Sequence, residues 1–442
     1  MTRTALVLVA AAVVAVLTGR LAVPGALYGW DAYPLIAAAR FDSTGAFFGT
    51  FAEELMDGRY PEGSFYRPVL HLMLGFEHAV GGLAPGVYGA VDALVAVLAA
   101  GAVALAARRL GAHDVAAGLA GAFVLLNPAA DHVMWFMPRR PESLAVLFTA
   151  GTIAVQRAAS DERAPRRALT FALALLACGS KESGVLVALL VVALHACERG
   201  LGAALRSSAP VLAAVALFVA VRTAVLGGLG GHPESSLANL SSAPAFCANQ
   251  LRVVFATLSP VVLAASLAPL VLACVLGAGK AKRRAAVLVP ITWLAGNVAL
   301  SAVSGVERPW YAFQLLAPLA LIAASTSALR GPRALIPAAA LIALAAPVVR
   351  GGAAPDRSAI DASANAFLET FESAVTGARP GQLLRVQGWS PAESDGAMRV
   401  FLHAPYSLDA YAELIGAPPT RCAPAEARPT PSASAVTVAL QR

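Results

Sequence analysis

Charged side chains are scarce in this chain of 442 residues. Asp, Glu, Lys and Arg together make up 13% of it, whereas a typical soluble domain carries about 25%. Hydrophobic residues make up 58%. This composition excludes an ordinary soluble enzyme and a disordered protein. Apolar runs of about 20 residues recur along most of the chain, and a helix of that length crosses a bilayer. The sequence therefore predicts an all-α polytopic membrane protein.

Cysteine is also scarce, with only five residues, and no cysteine or histidine spacing is typical of a metal site. Cys247 and Cys422 both fall on the predicted outer side, where a disulfide between them remains open. The net charge is +7. Because basic and aromatic residues do not interleave, this charge indicates membrane topology rather than binding of nucleic acid.

About eleven segments are apolar enough to be interpreted as transmembrane helices. We expect the first to be an uncleaved helix with a cytoplasmic N-terminus, because no small-residue cleavage site precedes a polar start. Basic residues cluster in the short loops that this count places inside, as the positive-inside rule requires. Frequent Ala and Arg are typical of a GC-rich bacterium, so we expect the bacterial inner membrane. The segments are 5–23, 86–107, 115–128, 142–156, 168–179, 184–197, 209–227, 252–276, 285–303, 314–329 and 334–349.

The composition divides the chain into two parts. Residues 1–350 form the predicted transmembrane domain, in which 24–66 is a long first outer loop with interfacial helices. Residues 351–442 lack a span and are richer in Asp, Glu, Ser and Pro. We expect them to be a small extracytoplasmic segment of α+β or irregular structure. Apolar alternation predicts strands around Leu384 and Val386, at 400–402 and at 436–440.

Ionisable residues near a membrane are costly and are functional candidates by default. Each one here also has a structural interpretation, such as a helix cap, an interfacial side chain or a local ion pair. Their joint placement on the outer side favours a site for an anionic, partly lipidic substrate, because Arg and Lys suit phosphate and a carboxylate suits proton abstraction. The group comprises Asp31, Arg67, Asp131, His132, Arg139, Arg140, Glu142, Lys181, Glu182, Glu307 and Arg308, with Tyr311 beside them.

Five short motifs carry a family resemblance. They are Tyr28-Gly29-Trp30-Asp31, Tyr66-Arg67-Pro68-Val69, Asn127-Pro128 through Arg139 and Glu142, Ser180-Lys181-Glu182-Ser183-Gly184, and Glu307-Arg308-Pro309-Trp310-Tyr311. Their order and spacing over residues 1–330 resemble the GT-C superfamily of polytopic glycosyltransferases, which use polyprenyl-phosphate sugars. The O-mannosyltransferase-like branch is the most similar. Residues 351–442 contribute nothing to this resemblance.

The resemblance implies a mechanism and a site. Asp31 would act as the general base or position the acceptor, and Asp131 would be a second acid. The family often has an acid next to the first one, where this chain has Ala32, so an adjacent acid pair is in doubt. A divalent metal held by Asp31, Asp131 and His132 remains open, and no cofactor is otherwise expected. The substrate-binding residues would be Arg67, Arg139, Lys181, Glu182, Arg308 and Tyr311, with the four cations holding the donor phosphate.

The predicted function is transfer of a hexosyl or pentosyl group from a polyprenyl-phosphate sugar to an extracytoplasmic glycan, lipid or protein. The bilayer is the other expected partner. A competing interpretation is a transporter or flippase for an anionic lipid, although transporters often show matched broken helices in two halves. Here only 168–197 forms an unusually short pair. A catalytically degenerate GT-C relative and a membrane scaffold that presents 351–442 outside are also compatible with the sequence.

Overall fold

The computed structural model is dominated by α-helices. It describes residues 2–21, 24–27, 31–58, 60, 63–134, 136–156, 164–255, 281–330, 357–378, 383–387, 405–418, 421–424 and 435–439. Several sequence predictions fall outside these residues, among them most of the span at 252–276, the span at 334–349 and the aromatic part of the first motif at 28–30.

The first part of the chain alternates long helices with short ones. Pro68 and Pro85 each occupy the first position of a helix. At that position the backbone N–H that proline lacks would have no partner within the helix. Ser43 and Asn127 cap two short helices, since their side-chain oxygens accept from the backbone N–H groups of Ala46 at 3.0 Å and Ala129 at 2.9 Å. The elements are α1 (Arg3–Leu17), α2 (Ala32–Ala38), α3 (Thr44–Gly49), α4 (Pro68–Gly81), α5 (Pro85–Arg109), α6 (Asp114–Leu126), α7 (Pro128–Met134) and α8 (Arg140–Val155), with 3-10 turns at Leu55–Gly58 and Met137–Arg139.

The second part continues as helices joined by short turns. The elements are α9 (Ala164–Ser180), α10 (Leu186–Arg199), α11 (Leu201–Ser207), α12 (Ala209–Leu226), α13 (Ala243–Val254), α14 (Ala281–Val303) and α15 (Ala312–Arg330), with 3-10 turns at Glu182–Val185, Leu237–Ser242 and Pro309–Tyr311. The two short helices predicted over 168–197 correspond to α9 and α10, which meet at Lys181 as the sequence indicates.

Small residues let the central helices approach closely. α5 packs against α6 and α8, and the buried faces contain many alanines, such as Ala99, Ala100 and Ala104. At Gly121 of α6 a methyl group would overlap with the carbonyl oxygen of Ala100 in α5, so this crossing requires a glycine. Close contact between small residues is the usual basis of helix association in membranes, where lipid offers no hydrophobic driving force.

Three of the described helices are long and apolar enough to cross a membrane: Pro85–Arg109, Ala209–Leu226 and Arg284–Val303. Three further apolar helices are shorter, at Arg3–Leu17, Asp114–Leu126 and Pro309–Ser325. The prediction of a mainly helical protein with apolar helices is thus confirmed. The count of eleven crossings stays a prediction, because several helices are shorter than the 20 or so residues that a bilayer needs.

The C-terminal residues form helices and a small sheet. The elements are α16 (Arg357–Thr376), β1 (Leu383–Gln387), α17 (Pro405–Leu414), β2 (Arg421–Pro424) and β3 (Ala435–Ala439), and the parallel sheet has the order β2-β1-β3. The predicted alternations at 384–386 and 436–440 fall on β1 and β3, whereas 400–402 lies outside the described residues. Tyr411 of α17 packs on Tyr33 of α2, with ring centroids 4.7 Å apart. The Cys247 side chain is a free thiol, so it takes part in no disulfide.

A buried ionic group joins three helices of the bundle. The Arg140 side chain is 0% exposed, and its Nε donates to Asp92 Oδ1 at 2.6 Å. Its Nη1 contacts Glu77 Oε1, and its Nη2 donates to the carbonyl oxygen of Tyr88 at 3.2 Å. One guanidinium therefore serves two carboxylates from α4 and α5. Glu77 Oε2 has no hydrogen-bond partner among the described residues.

Arg140→Met should destabilise the protein by about 3–5 kcal/mol, because it leaves two buried carboxylates without a cation. Glu77→Gln should change stability by less than about 1 kcal/mol, since the amide oxygen still accepts from Arg140 and the surplus acid is gone. Unfolding of the protein in nanodiscs by denaturant measures both. The control is Arg108→Met, which removes an exposed pair with Asp114 at 3.0 Å worth about 0–1 kcal/mol. Equal effects of the two Arg→Met changes would contradict the assignment.

Candidate functional site

Glu182 binds two arginines from distant parts of the chain. Arg67, just before α4, approaches with Nη2 at 3.0 Å from Glu182 Oε2. Arg222 approaches from within α12, with Nη1 at 3.1 Å from Glu182 Oε1. The Nε of Arg222 also donates to the carbonyl oxygen of Leu229 at 2.8 Å. The carboxylate thus fixes the segment before α4, the turn between α9 and α10, and α12 relative to one another.

The charge state of this group is set by the two guanidinium groups. Burial alone would raise the pKa of Glu182, but Arg67 and Arg222 outweigh burial and hold that pKa well below its usual range. Glu182 is therefore ionised throughout the neutral and mildly acidic range. It neutralises only part of the positive charge of its two partners.

Lys181 forms a second ion pair in the adjacent position. Its Nζ contacts Glu142 Oε1 of α8, and Gln314 of α15 donates to Glu142 Oε2. The ammonium also lies 4.6 Å from the ring centroid of Tyr311, which is a cation–π distance. Burial lowers the pKa of Lys181, and the Glu142 carboxylate only partly offsets this effect.

A tight turn presents Lys181 and Glu182 side by side. α9 ends at Ser180 and α10 begins at Leu186. Within the turn, a methyl group on Gly184 would overlap with the carbonyl oxygen of Ala177. Only glycine fits this close approach, so Gly184 of the predicted Ser180–Gly184 motif has a steric role. The turn directs one residue toward Glu142 and the next toward Arg67.

Arg139 is held between two aromatic rings. Its guanidinium carbon lies 4.0 Å from the ring centroid of Phe136 and 4.0 Å from that of Trp310. Arg308 lies 5.7 Å from the same Trp310 ring. Burial lowers the pKa of Arg139 to about 10, although Glu142 and Asp31 act in the opposite direction. Stacking on both rings fixes the plane of the guanidinium, whose planar set of N–H donors is of the kind that recognises oxyanions.

The predicted site residues fall into two places. Arg67, Glu182, Lys181 and Tyr311 interact directly or through Glu142. Arg139 and Arg308 share the Trp310 ring, and Glu142 and Asp31 act on the charge of Arg139. We call the set Arg67, Arg139, Glu142, Lys181, Glu182, Arg222, Arg308 and Tyr311 the cationic cluster.

The two predicted acids differ in their surroundings. Asp31 lies at the start of α2 and is close enough to Arg139 to influence its charge. Asp131 of α7 lies 3.4 Å from Arg20, which also donates to the carbonyl oxygen of Leu126 at 2.6 Å. Within the described part of the chain, no three His, Cys, Asp or Glu side chains form a group suited to a metal. The side chain of His132 lies outside the described residues.

Two residues at the site, Arg222 and Gln314, are not among those predicted from the sequence. Arg222 lies inside an 18-residue apolar helix and Gln314 begins another apolar helix. An arginine within an apolar segment is a functional candidate by the same rule that selected the loop residues. That signal was present for Arg222. Gln314 carries no charge, and nothing in its local pattern distinguishes it from an ordinary core residue.

The cationic cluster favours an anionic ligand. Its five cations outnumber its two carboxylates, Glu142 and Glu182, even when Asp31 is added to the acids. In a largely apolar body such a surplus attracts a phosphate or a comparable oxyanion more strongly than it would in water. Arginine edges and an ammonium are the donors that phosphate prefers.

Comparison with solved structures identifies the fold. The archaeal oligosaccharyltransferase AglB from Archaeoglobus fulgidus, in complex with an inhibitory peptide and a dolichol-phosphate, superposes with a TM-score of 0.53 at 13% identity, over 94% of this chain and 64% of that one. Its apo form gives 0.51 at 12% identity, over 92% and 65%. ArnT from Cupriavidus metallidurans bound to undecaprenyl phosphate gives 0.48 at 16% identity, over 82% and 70%.

The archaeal structures show that this chain has the GT-C fold, as its motifs indicate. The chain is therefore a helical protein with the fold of this archaeal oligosaccharyltransferase and with apolar helices long enough to cross a membrane. The chain spans less than two thirds of the length of the archaeal protein. By sequence, no family model and no curated protein matches it.

Glu182→Gln should lower the free energy of unfolding by about 2 kcal/mol, because two guanidinium groups lose their anionic partner. Since the pKa of Glu182 is depressed in the folded state, its stabilisation is fully present above the ordinary carboxylate pKa and is lost progressively as the pH falls from that value toward the lower folded value. The difference from wild type should therefore stay constant between pH 7 and about pH 5.5, one unit above the ordinary Glu pKa, and shrink below it. Denaturant titrations at several pH values measure it. A difference that shrinks between pH 7 and about pH 5.5, or that stays undiminished at about pH 3, would contradict the depressed pKa.

Proposed function

We propose that the protein is a membrane glycosyltransferase that transfers a sugar from a polyprenyl-phosphate donor to an extracytoplasmic acceptor. The observation that supports it best is the convergence of Arg67, Arg139, Lys181 and Arg308 from separate segments of a GT-C fold. The archaeal structure with the same fold contains a dolichol-phosphate, a ligand of the class that such cations suit.

The donor phosphate would bind to the cationic cluster. Arg67 and Lys181 are oriented by Glu182 and Glu142, and Arg139 is oriented by two aromatic rings. Preorganised cations cost little rearrangement when negative charge develops on the leaving phosphate. The apolar polyprenyl chain would then extend between helices into lipid, while the sugar faces the first outer loop.

Asp31 would act as the general base. Its carboxylate takes the proton from the acceptor hydroxyl or amine as the acceptor atom bonds to the anomeric carbon. The bond from that carbon to the donor oxygen breaks, and its electron pair leaves with the polyprenyl phosphate. A single displacement of this kind inverts the anomeric configuration and needs no covalent intermediate. Asp131, which pairs with Arg20, would support the same outer surface as a second acid.

The donor sugar, hexosyl or pentosyl, and the acceptor class of glycan, lipid or protein are left to experiment. A panel of radiolabelled polyprenyl-phosphate hexoses and pentoses, given to the purified chain in nanodiscs, identifies the donor by release of polyprenyl phosphate. Binding of a donor without any turnover would instead favour the transporter or the degenerate GT-C relative. The inner membrane and an extracytoplasmic C-terminus are part of the same proposal.

Asp31→Asn should reduce sugar transfer by at least about 100-fold, because the amide cannot accept the acceptor proton. Donor binding should remain, since the cationic cluster is intact. The matched control is Asp42→Asn, which alters an exposed carboxylate of the same loop paired with Arg40 at 3.4 Å. Wild-type transfer rates in Asp31→Asn would remove the assignment of the base.

Arg139→Lys should raise the KM for the donor by about tenfold, with a smaller change in kcat. Lysine keeps the charge but loses the planar fork that stacks between Phe136 and Trp310. Trp310→Leu should also raise the KM for the donor, because one of the two rings is lost. The change in donor binding free energy should be roughly half of that in Arg139→Lys. Steady-state kinetics in the donor measures both. An unchanged KM in both variants would place the phosphate elsewhere.

A further inference from the structure

A second cavity lies where the C-terminal helices meet the first outer loop. Its volume is about 280 Å³. One side is formed by Gly25, Ala26, Leu27 and Tyr33 of the loop and α2, and by Leu83 and Pro85 before and at the start of α5; the other is formed by Asn365, Leu368, Glu369 and Glu372 of α16 and by Tyr411 of α17. This volume suits a single sugar or head group rather than a lipid chain.

The two sides of the cavity are held together by specific contacts. The rings of Tyr33 and Tyr411 lie 4.7 Å apart, and the Tyr411 hydroxyl donates to Glu372. Asn365 Nδ2 donates to the carbonyl oxygen of Gly25 at 3.4 Å. Buried Phe367 and Phe371 extend the same hydrophobic core as α2. The cavity is therefore a preformed feature of the contact between the C-terminal segment and the loop.

The charge of this cavity is opposite to that of the cationic cluster. Among the described residues that line it, Glu369 and Glu372 are the acidic ones, and none is Lys, Arg or His. A carboxylate only accepts hydrogen bonds. An anionic ligand would be repelled, whereas a ligand with hydroxyl and ammonium donors would be stabilised. Tyr33 and Tyr411 line the same cavity, but they are only 3% and 5% exposed because their rings pack on each other.

The cavity is also connected to the proposed base. Tyr33 and Asp31 are two residues apart at the start of α2. Tyr33 is 3% exposed and packs on α17. A ligand in the cavity would contact the same short helix that carries Asp31. The donor phosphate and this second ligand would thus occupy sites of opposite charge, and Asp31 starts the helix that also lines the second one.

We propose that this cavity binds an amine-bearing, polyhydroxylated head group of the acceptor, with Glu369 and Glu372 as the ligands of the amine. The proposal rests on the proposed glycosyl transfer only in that the ligand is identified as the acceptor. The binding site itself is a property of the free protein and is tested without donor.

The test is calorimetric binding of three small probes to the purified full-length chain in nanodiscs: glucosamine, glucose and glucuronate. Glucosamine should bind at least tenfold more tightly than glucose at pH 6.5, and glucuronate should not bind. The double variant Glu369→Gln with Glu372→Gln should bind glucosamine and glucose equally. The matched control is Glu413→Gln, an exposed glutamate of α17 outside the cavity, which should behave as wild type.

A second variant separates charge from shape. Leu368→Trp fills the cavity while keeping both glutamates, and it should abolish binding of glucosamine and glucose alike. Thermal unfolding of each variant shows whether the C-terminal helices stay packed. No glucosamine binding by wild type, equal binding of glucuronate, or undiminished glucosamine binding in the double glutamine variant would each overturn the proposal. Donor turnover by the wild type is measured separately, so failure of the proposed function gives a different result.

Discussion

Desolvation of charge is the constraint on which the rest of this structure depends. In an apolar body, an ionised side chain is stable only if it is paired and hydrogen-bonded. Arg140 satisfies this with Asp92 and Glu77, and Glu182 satisfies it with Arg67 and Arg222. Each of these groups joins elements that are far apart in sequence. The ionic contacts therefore fix which helices are neighbours near the site, a choice that non-directional apolar packing leaves open.

The adjacent arginines 139 and 140 illustrate how this constraint produces a site. Arg140 is fully enclosed by two carboxylates at the start of α8. Because it is anchored there, the preceding residue is positioned at the edge, where Arg139 stacks between Phe136 and Trp310. A structural cation and a candidate ligand-binding cation are thus neighbours in sequence with separate environments. The ion pairs that anchor buried Arg140 thereby help to orient Arg139.

The sequence predicted the helices better than the partnerships. Apolar length identifies α5, α12 and α14 directly, because a bilayer requires such a run. The grouping of Arg67, Lys181 and Glu182 also followed, since the predicted topology puts all three on the same side of the membrane. Which acid meets which cation did not follow, because hydropathy carries no information about which helices pack together. Arg222 and Arg20 remained unassigned for this reason, and Asp131 lies with Arg20 at 3.4 Å.

The opposite charges of the two sites have a mechanistic consequence. A phosphate donor and an amine-bearing acceptor attract one another in solution, but each would be attracted to only one of the two sites here. The cationic cluster would reject the amine, and the glutamates of the second cavity would reject the phosphate. Selection of this kind directs each substrate to its own site by charge rather than by shape. Repulsion between like charges discriminates strongly between the two substrates in a water-poor environment. Asp31 lies at the start of α2, and Tyr33 in the first turn of the same helix lines the second cavity. A base at that position would meet the acceptor only when both charges are correctly placed.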